Sequence, residues 1–326
     1  MQEASICSSA EWLKRHAEAR SRSGAVLYAM YSSWAAGIVT DPALMWLPVD
    51  DHLAHRGDGV FETLKCVDGA LYNVDAHLDR LTVSAMGIGL SLPLEKADLR
   101  QRMIDTVRAG GHPDALVRVL VGRGPGSMGV HPSDCPAPQC YIVVAPLAPP
   151  FMASNPGGAR IGFSAIPPKP PPFAAIKHCN YLPNALMAKE ASDRDLDFVI
   201  GIGTDTTITE GPTENIAVIS SAGDLRTPDT PAILPGTTLD RVLQLAAPLQ
   251  AEGLLRRIEH APVTRDEVCT AAEALIMGTS HDIAAVRQVE ETVLRGPQGP
   301  VYQRLSALLA TDIRSNPAMR TLVFAS

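Results

Sequence analysis

The chain has 326 residues, 46% of them hydrophobic and 19% charged, with a formal net charge of −7. That length supports two domains with separate cores, and the acidic balance argues against a nucleic-acid surface or a patch for anionic membranes, since both need excess positive charge. Six cysteines without a CxxC pair or zinc-ligand spacing read as reduced thiols, and with no 18-residue apolar run or signal-peptide pattern the expected location is cytoplasmic.

Residues 1–24 read as a polar, partly helical arm. A small first domain is expected over 25–147. Within it GVFETLKCVDGALYNV alternates in hydrophobicity around a DG pair, which predicts a β-hairpin. DAHLDRLTVSAMGIG places Leu78, Leu81, Ser84 and Ala85 at helical spacing and closes on glycines. LEKADLRQRMIDTVRAGG is a second amphipathic helix, stopped by a glycine pair. ALVRVLVGRG and CYIVVAPL are strands joined by PGSMGVHPSDCPAPQ, a long loop of glycine and proline.

Proline and glycine crowd over 148–157, the expected linker, and 158–326 is the expected larger domain. It holds PPKPPPF, read as a stiff extended connector, and DFVIGIGTDTTITEGPTENIAVIS, read as a hairpin. A helix entered through ILPGTTLDRVLQLA and a final helix, VYQRLSALLATDI, follow. The absence of regular βαβ crossovers and of a GxGxxG turn argues against a dinucleotide-binding fold.

Lysine is scarce. The 28 basic residues include six lysines (Lys14, Lys65, Lys96, Lys169, Lys177 and Lys189), leaving 22 arginines. Only lysine has an amine that can lose its proton and attack a carbonyl. Lys177 stands just before a helix with Asn180 as its expected N-cap and Pro183 in its first turn. The positive end of that helix favours the neutral amine, which suits condensation with an aldehyde.

Glu210, in the turn TITEGPTEN, is a carboxylate placed to hold the proton on a pyridine nitrogen, the electron-sink arrangement that pyridoxal phosphate requires. LPGTTLD sets Gly236, Thr237 and Thr238 at a strand-to-helix junction, where free N–H groups and hydroxyls bind an anion. IMGTSHD repeats the device with Gly278, Thr279 and Ser280. Arg80, three residues after His77, adds a fixed cation for a phosphate. No metal site is expected.

The motifs HLDRL, KHCNYL, ITEGPTENI, LPGTTLD and MGTS, in this order between HRGDGVFE and MGTSHDI (residues 55–283), resemble the class IV (fold type IV) pyridoxal-phosphate aminotransferases. That family includes branched-chain aminotransferases, D-amino-acid transaminases and aminodeoxychorismate lyases. The resemblance implies an α+β fold, with a small α/β amino-terminal domain, a larger pseudo-barrel domain and the cofactor between them. It implies Lys177 as the lysine bonded covalently to pyridoxal 5′-phosphate and Glu210 as the partner of the pyridine nitrogen. Arg80, Gly236, Thr237, Thr238 and Thr279 would surround the phosphate. Tyr181 would lie near the phenolic oxygen and Leu234 would pack on the ring. A homodimer whose partner loops help close the site is also implied.

The subfamily signals diverge. The loop GPGSMGVHP, with Met128, Gly129, Val130 and His131, resembles the branched-chain enzymes, and Arg118 falls where those keep an arginine near the substrate. Leu116 replaces the tyrosine expected two residues earlier. D-amino-acid transaminases carry an arginine–histidine pair on this loop; Met128 stands in place of the arginine while His131 remains nearby. The K-H-x-N spacing after Lys177 suits the lyases and the D-specific group, and the stretch from LYAMYSS to GVFET resembles plant-type D-amino-acid transaminases. Phe61, Met128 and Val130 favour a hydrophobic substrate group, and Thr279 and Ser280 complete the expected substrate contacts. The expected activity moves an amino group between a branched-chain, hydrophobic or D-amino acid and a 2-oxo acid such as 2-oxoglutarate. The alternative is an aminodeoxychorismate lyase releasing pyruvate and 4-aminobenzoate. Small molecules are the expected partners, without nucleic acid or membrane.

Overall fold

The computed structural model describes residues 5–203, 205–229 and 232–324. The first four residues of the expected arm and the last two of the chain lie outside the described residues, as do Thr204 of the expected hairpin and residues 230–231.

Helix α1 (Ser9–Arg22) forms the arm. Ser8 caps it by accepting the Glu11 N–H, and none of its residues is buried, because its sequence lacks a continuous apolar stripe. Next come β1 (Ala29–Ser32), β2 (Gly37–Val39), α2 (His52–Arg56), β3 (Gly59–Val67), β4 (Ala70–Tyr72), α3 (Val74–Gly87), α4 (Lys96–Gly110), β5 (Ala115–Gly122) and β6 (Gln139–Pro146). A short α5 (Phe151–Ser154) leads to β7 (Ala159–Phe163), α6 (Leu182–Asp193), β8 (Phe198–Ile200), β9 (Asn215–Ile219), β10 (Asp224–Thr227) and α7 (Thr237–Ala251). The chain continues through β11 (Arg257–His260), α8 (Arg265–Cys269), β12 (Glu273–Gly278), β13 (Asp282–Val289), β14 (Thr292–Val293), α9 (Pro300–Ser315) and β15 (Arg320–Leu322).

The class is α+β, as expected. The first sheet runs β15-β4-β3-β5-β6-β1-β2. The expected β3–β4 hairpin is present, with Asp68 and Gly69 at φ 49° and 74° as its two-residue turn; positive φ at both positions is what such a turn needs to match strand twist. Along β5, buried Val117 and Val119 alternate with exposed Arg118, so one face meets α3 and α4 and the other stays open. Leu78 and Leu81 from α3, with Leu99, Met103 and Val107 from α4, fill that first core.

The last strand departs from the expected domain limits. β15, read from sequence as part of the larger domain, pairs with β4, and Val323 enters the first core. The outer edge of β4 would otherwise expose unpaired backbone groups. The expected linker also contains α5, whose Phe151 packs 5.1 Å from Phe198.

The second sheet runs β11-β10-β9-β12-β13-β7-β8, with β14 beside β13. Its central strands are buried on both faces. Ala217, Ile219, Leu275 and Met277 face α7 and α9, while Ile216, Val218, Ala274 and Ile276 face the opposite core. Near-continuous apolar runs follow from that double covering. The segment expected to form one long hairpin keeps only a short ladder among the described residues: β8 pairs with β7 and β9 lies between β10 and β12. In the ladder the Gly201 N–H donates to the Glu210 carbonyl (3.0 Å), the Thr209 N–H to the Gly201 carbonyl (2.8 Å) and the Gly203 N–H to the Thr207 carbonyl (2.7 Å), beside the Ile202–Ile208 bridge. Gly201, Gly203 and the positive φ of Thr206 interrupt the strand there.

The outer face of β3 meets the second sheet. Lys65 pairs with Asp282, and Tyr72 donates its hydroxyl to Asp312, which also accepts from Arg241. These contacts set the two sheets against each other and leave a cleft beside β3. Among the described residues no helix is long and apolar enough to cross a membrane, and all six cysteines are free.

Candidate active site

Lys177 is placed by β3 rather than by the helix that follows it. The Phe61 N–H donates to the Lys177 carbonyl (2.9 Å), the Cys179 N–H donates to the Gly59 carbonyl (2.8 Å), and the Lys177 N–H donates to Ser84 Oγ on α3 (3.1 Å). Asn180 is not the N-cap of α6. Tyr181 holds that position without a side-chain cap, because residues 177–179 are still paired along β3 as the helix is entered. Asn180 instead packs against Gly57, where a Cβ would come within 3.2 Å of its Cα. The Lys177 amine is buried, 4.6 Å from the centre of the Phe61 ring. Burial, rather than the helix dipole expected from the sequence, is the main cause that lowers its pKa, to about 8. Arg80 pushes in the same direction, and Glu62 and Glu210 oppose.

One end of the cleft is built for an anion. Arg80 donates through Nε to Glu62 Oε1 (2.7 Å), through Nη2 to Glu62 Oε2 (2.9 Å) and through Nη1 to the Pro235 carbonyl (2.9 Å). Three of its five N–H donors are thus engaged and the guanidinium plane is held. Glu62 also contacts His77 Nδ1 (2.7 Å), whose Nε2 lies 3.2 Å from Thr237 Oγ1. Burial alone would raise the Glu62 carboxyl; Arg80 and His77 overcome it and hold the group at about 2. Beside Arg80, α7 starts at Gly236 with no side-chain cap, leaving first-turn N–H groups for a ligand. A Cβ on Gly236 would fall 1.9 Å from Asn215 Oδ1, so glycine is needed for that approach.

Glu210 supplies a carboxylate behind the cleft. Its Oε2 accepts the Leu234 N–H (2.9 Å) and an Asn215 amide N–H (3.4 Å), while Oε1 lies 3.7 Å from Lys169 Nζ. Burial raises its pKa; Lys169, the Leu234 N–H, Lys177 and Arg80 oppose in that order. Tyr181, set edge-on to Phe61 at 5.1 Å, has a hydroxyl pushed up by burial and by Glu210, so it stays a donor.

The cleft encloses about 240 Å³. Its walls hold Lys177, Arg80, Tyr181 and Leu234, then Gly236, Thr237 and Thr238, and opposite them Gly278, Thr279 and Ser280. Phe61 and Arg118 line it from the first sheet. Arg118 has no ion-pair or hydrogen-bond partner among the described residues, and its guanidinium lies 5.6 Å from the Phe61 ring. The loop residues Met128, Gly129, Val130 and His131 do not line it. Met128 and Val130 are 61% and 76% exposed. Arg56 holds the loop outward by donating to the Met128 and Gly129 carbonyls, while His131 caps the turn at Pro132–Asp134.

Thr63, Thr213 and Asn215 also line the cleft, although nothing in the sequence reading singled them out. Thr63 lies opposite Arg118 across β3 and β5. Glu62 escaped notice as well, yet it is the one charged residue on the β3 face that otherwise presents Val60, Leu64 and Cys66 to the core. Among the described residues no cluster of three or more His, Cys, Asp or Glu is suited to a metal.

The family model described as amino-transferase class IV matches residues 59–289. The chain is 38% identical over 305 residues to the chloroplastic D-amino-acid transaminase of Arabidopsis thaliana, spanning 93% of this chain and 81% of that protein. It is 30% identical over 271 residues to a putative branched-chain-amino-acid aminotransferase of Methanocaldococcus jannaschii, spanning 82% and 91%. The branched-chain amino acid aminotransferase of Thermoproteus uzoniensis, a thermophilic archaeon, was solved with norvaline. It shares the fold with a TM-score of 0.81 at 23% identity, over 91% of this chain and 99% of that one.

Proposed function

This chain belongs to the amino-transferase class IV family, and from that premise we propose that it uses pyridoxal 5′-phosphate to move an amino group between a hydrophobic or D-amino acid and a 2-oxo acid such as 2-oxoglutarate. The observation that carries the reading is a cleft that joins a buried amine with low proton affinity to a fixed guanidinium beside an uncapped helix start, with a buried carboxylate, Glu210, behind the wall formed by Leu234 and Asn215. Those three fit the aldehyde, phosphate and ring nitrogen of that cofactor in turn. When bound, the cofactor supplies an aldehyde that takes up the amino group and a ring that delocalises the electron pair left at Cα.

The protein's own groups do the rest. Arg80, Thr237, Thr238 and Thr279 would hold the phosphate. Glu210 would keep a proton on the ring nitrogen, and Leu234 would pack on the ring. Tyr181 would donate to the phenolic oxygen. Lys177 would hold the cofactor's aldehyde carbon, and its neutral amine would be the base that takes up and gives back a proton at the substrate Cα. Arg118 provides a cation for a substrate carboxylate, and Phe61 an apolar wall.

The loop at Met128–His131, exposed in a single chain, is proposed to cover the cleft of a second copy in a homodimer. The exposed apolar side chains of Met128 and Val130 support this. Six free cysteines support a reducing compartment, the cytoplasm in our reading. The aminotransferase names of the relatives favour transfer over the lyase course. The test follows the cofactor spectrum of reconstituted protein while L- and D-amino acids are added in parallel, then 2-oxoglutarate. Spectral change with a donor, reversed by the acceptor and without pyruvate release, is expected. No response to any donor overturns the reading.

A further inference from the structure

We propose that Lys169 is a positioning residue that keeps the Glu210 carboxylate anionic for the cofactor. The inference rests on the cofactor reading above. Lys169 is the one non-proline residue between 167 and 172, in PPKPPP. Proline fixes φ and donates no N–H, and this segment enters neither strand nor helix. A lysine side chain usually keeps its rotamer freedom in water, yet here it is only 12% exposed. Its ammonium lies 5.5 Å from the centre of the Tyr181 ring and 3.7 Å from Glu210 Oε1.

That 3.7 Å separation decides the role. It is too long for a hydrogen bond, so Oε1 keeps its lone pairs for another donor, and short enough for the full charge to act. Oε2 is already taken by the Leu234 N–H and Asn215. The groups facing Glu210 are Lys169 from the proline segment, Leu234 before α7, Asn215 on β9, Lys177, Arg80 and, four residues on, the buried Glu214. Two buried carboxyls this close resist ionising together. Burial raises both carboxyls, Glu214 to about 7; of the groups that oppose it at Glu210, the Lys169 charge is the largest, and no lysine stands beside Glu214 at that distance among the described residues.

Pyridoxamine 5′-phosphate is the probe, because it cannot bond to Lys177 and so reports the ring and phosphate contacts alone. Its affinity for the cofactor-free chain is measured against pH by fluorescence titration for wild type, Lys169→Met, Lys169→Arg, Glu210→Gln and the Lys169→Met/Glu210→Gln double variant. Wild-type affinity should fall on the acid side. Lys169→Met should move that limb up by about one pH unit or more, with about a tenfold loss at the wild-type midpoint. Lys169→Arg should restore it, and Lys169→Met should add nothing once Glu210 is Gln. A limb unmoved in Lys169→Met, or moved equally in Lys169→Arg, overturns the inference while leaving the cofactor reading intact. Failure of the wild type to bind the probe overturns both.

Discussion

Arg80 and Glu62, 18 residues apart, meet as a buried fork in which Nε lies 2.7 Å from Oε1 and Nη2 2.9 Å from Oε2. The carboxylate of β3 thereby aims the guanidinium of α3 at the start of α7. The anion end of the cleft is therefore assembled from three separated elements, and its charges depend on one another.

Glu62→Gln leaves the Arg80 guanidinium without a counter-charge. Breaking a buried pair by removing one partner costs about 3–5 kcal/mol. Because the folded Glu62 carboxyl is depressed from 4.5 to about 2, its stabilisation is present above pH 4.5 and fades as pH falls towards 2. Urea unfolding should show the full deficit of the variant at pH 7 and a smaller one at pH 3. Equal stability of the two proteins at pH 7 would refute the role given to this pair.

Covalent capture of pyridoxal phosphate should accelerate with pH around a midpoint near 8, since the neutral Lys177 amine is the attacking form and its pKa is lowered from 10.5 to about 8. Borohydride trapping at timed intervals, followed by peptide mapping, measures this. Lys177→Ala should trap no label at that peptide. A rate that does not change between pH 7 and 9 would contradict the assignment.

Arg118→Met tests the substrate cation. Hydrogen bonds to charged groups contribute about 1.5–3 kcal/mol, so KM for 2-oxoglutarate should rise roughly 10–100-fold while kcat changes less. Steady-state kinetics with the dicarboxylate acceptor and a monocarboxylate one separate the effects. An unchanged KM for both would remove Arg118 from substrate recognition.

Glu214 is buried, and its Oε2 accepts the Thr213 N–H (2.8 Å) and hydroxyl (2.5 Å) while Oε1 has no partner among the described residues. Burial raises its carboxyl from 4.5 to about 7. The folded state therefore holds the proton that the unfolded chain releases, and stability is lost as pH rises from 4.5 through 7. Glu214→Gln, always neutral, should melt higher than wild type at pH 8, by an equivalent of about 1–3 kcal/mol, with no gain at pH 4.5. The same difference at both pH values would show that ionisation is not the cause.

Local patterns carried much of this molecule. The DG turn of β3–β4 and the glycine-closed α3 were readable because their signals lie within a few residues. The chemistry of Lys177, Glu210 and the two glycine–threonine turns was readable because few side chains suit those tasks. Glu62 and Asn215 were not, although Glu62 interrupts an apolar strand and Asn215 opens one. Lys169 was visible only as an oddity among prolines.

The inventory could be read from the chain alone: one amine, one acid, anion-binding turns, and strands and helices to carry most of them. Packing settled which groups face each other. Lys177 is held by backbone bonds to β3, far away in the chain, and the predicted hairpin shrank to a short ladder because β8 and β9 found other neighbours. Proton affinities belong to this second level. They are set by burial and by distances between charges, and neither exists until distant segments pack together.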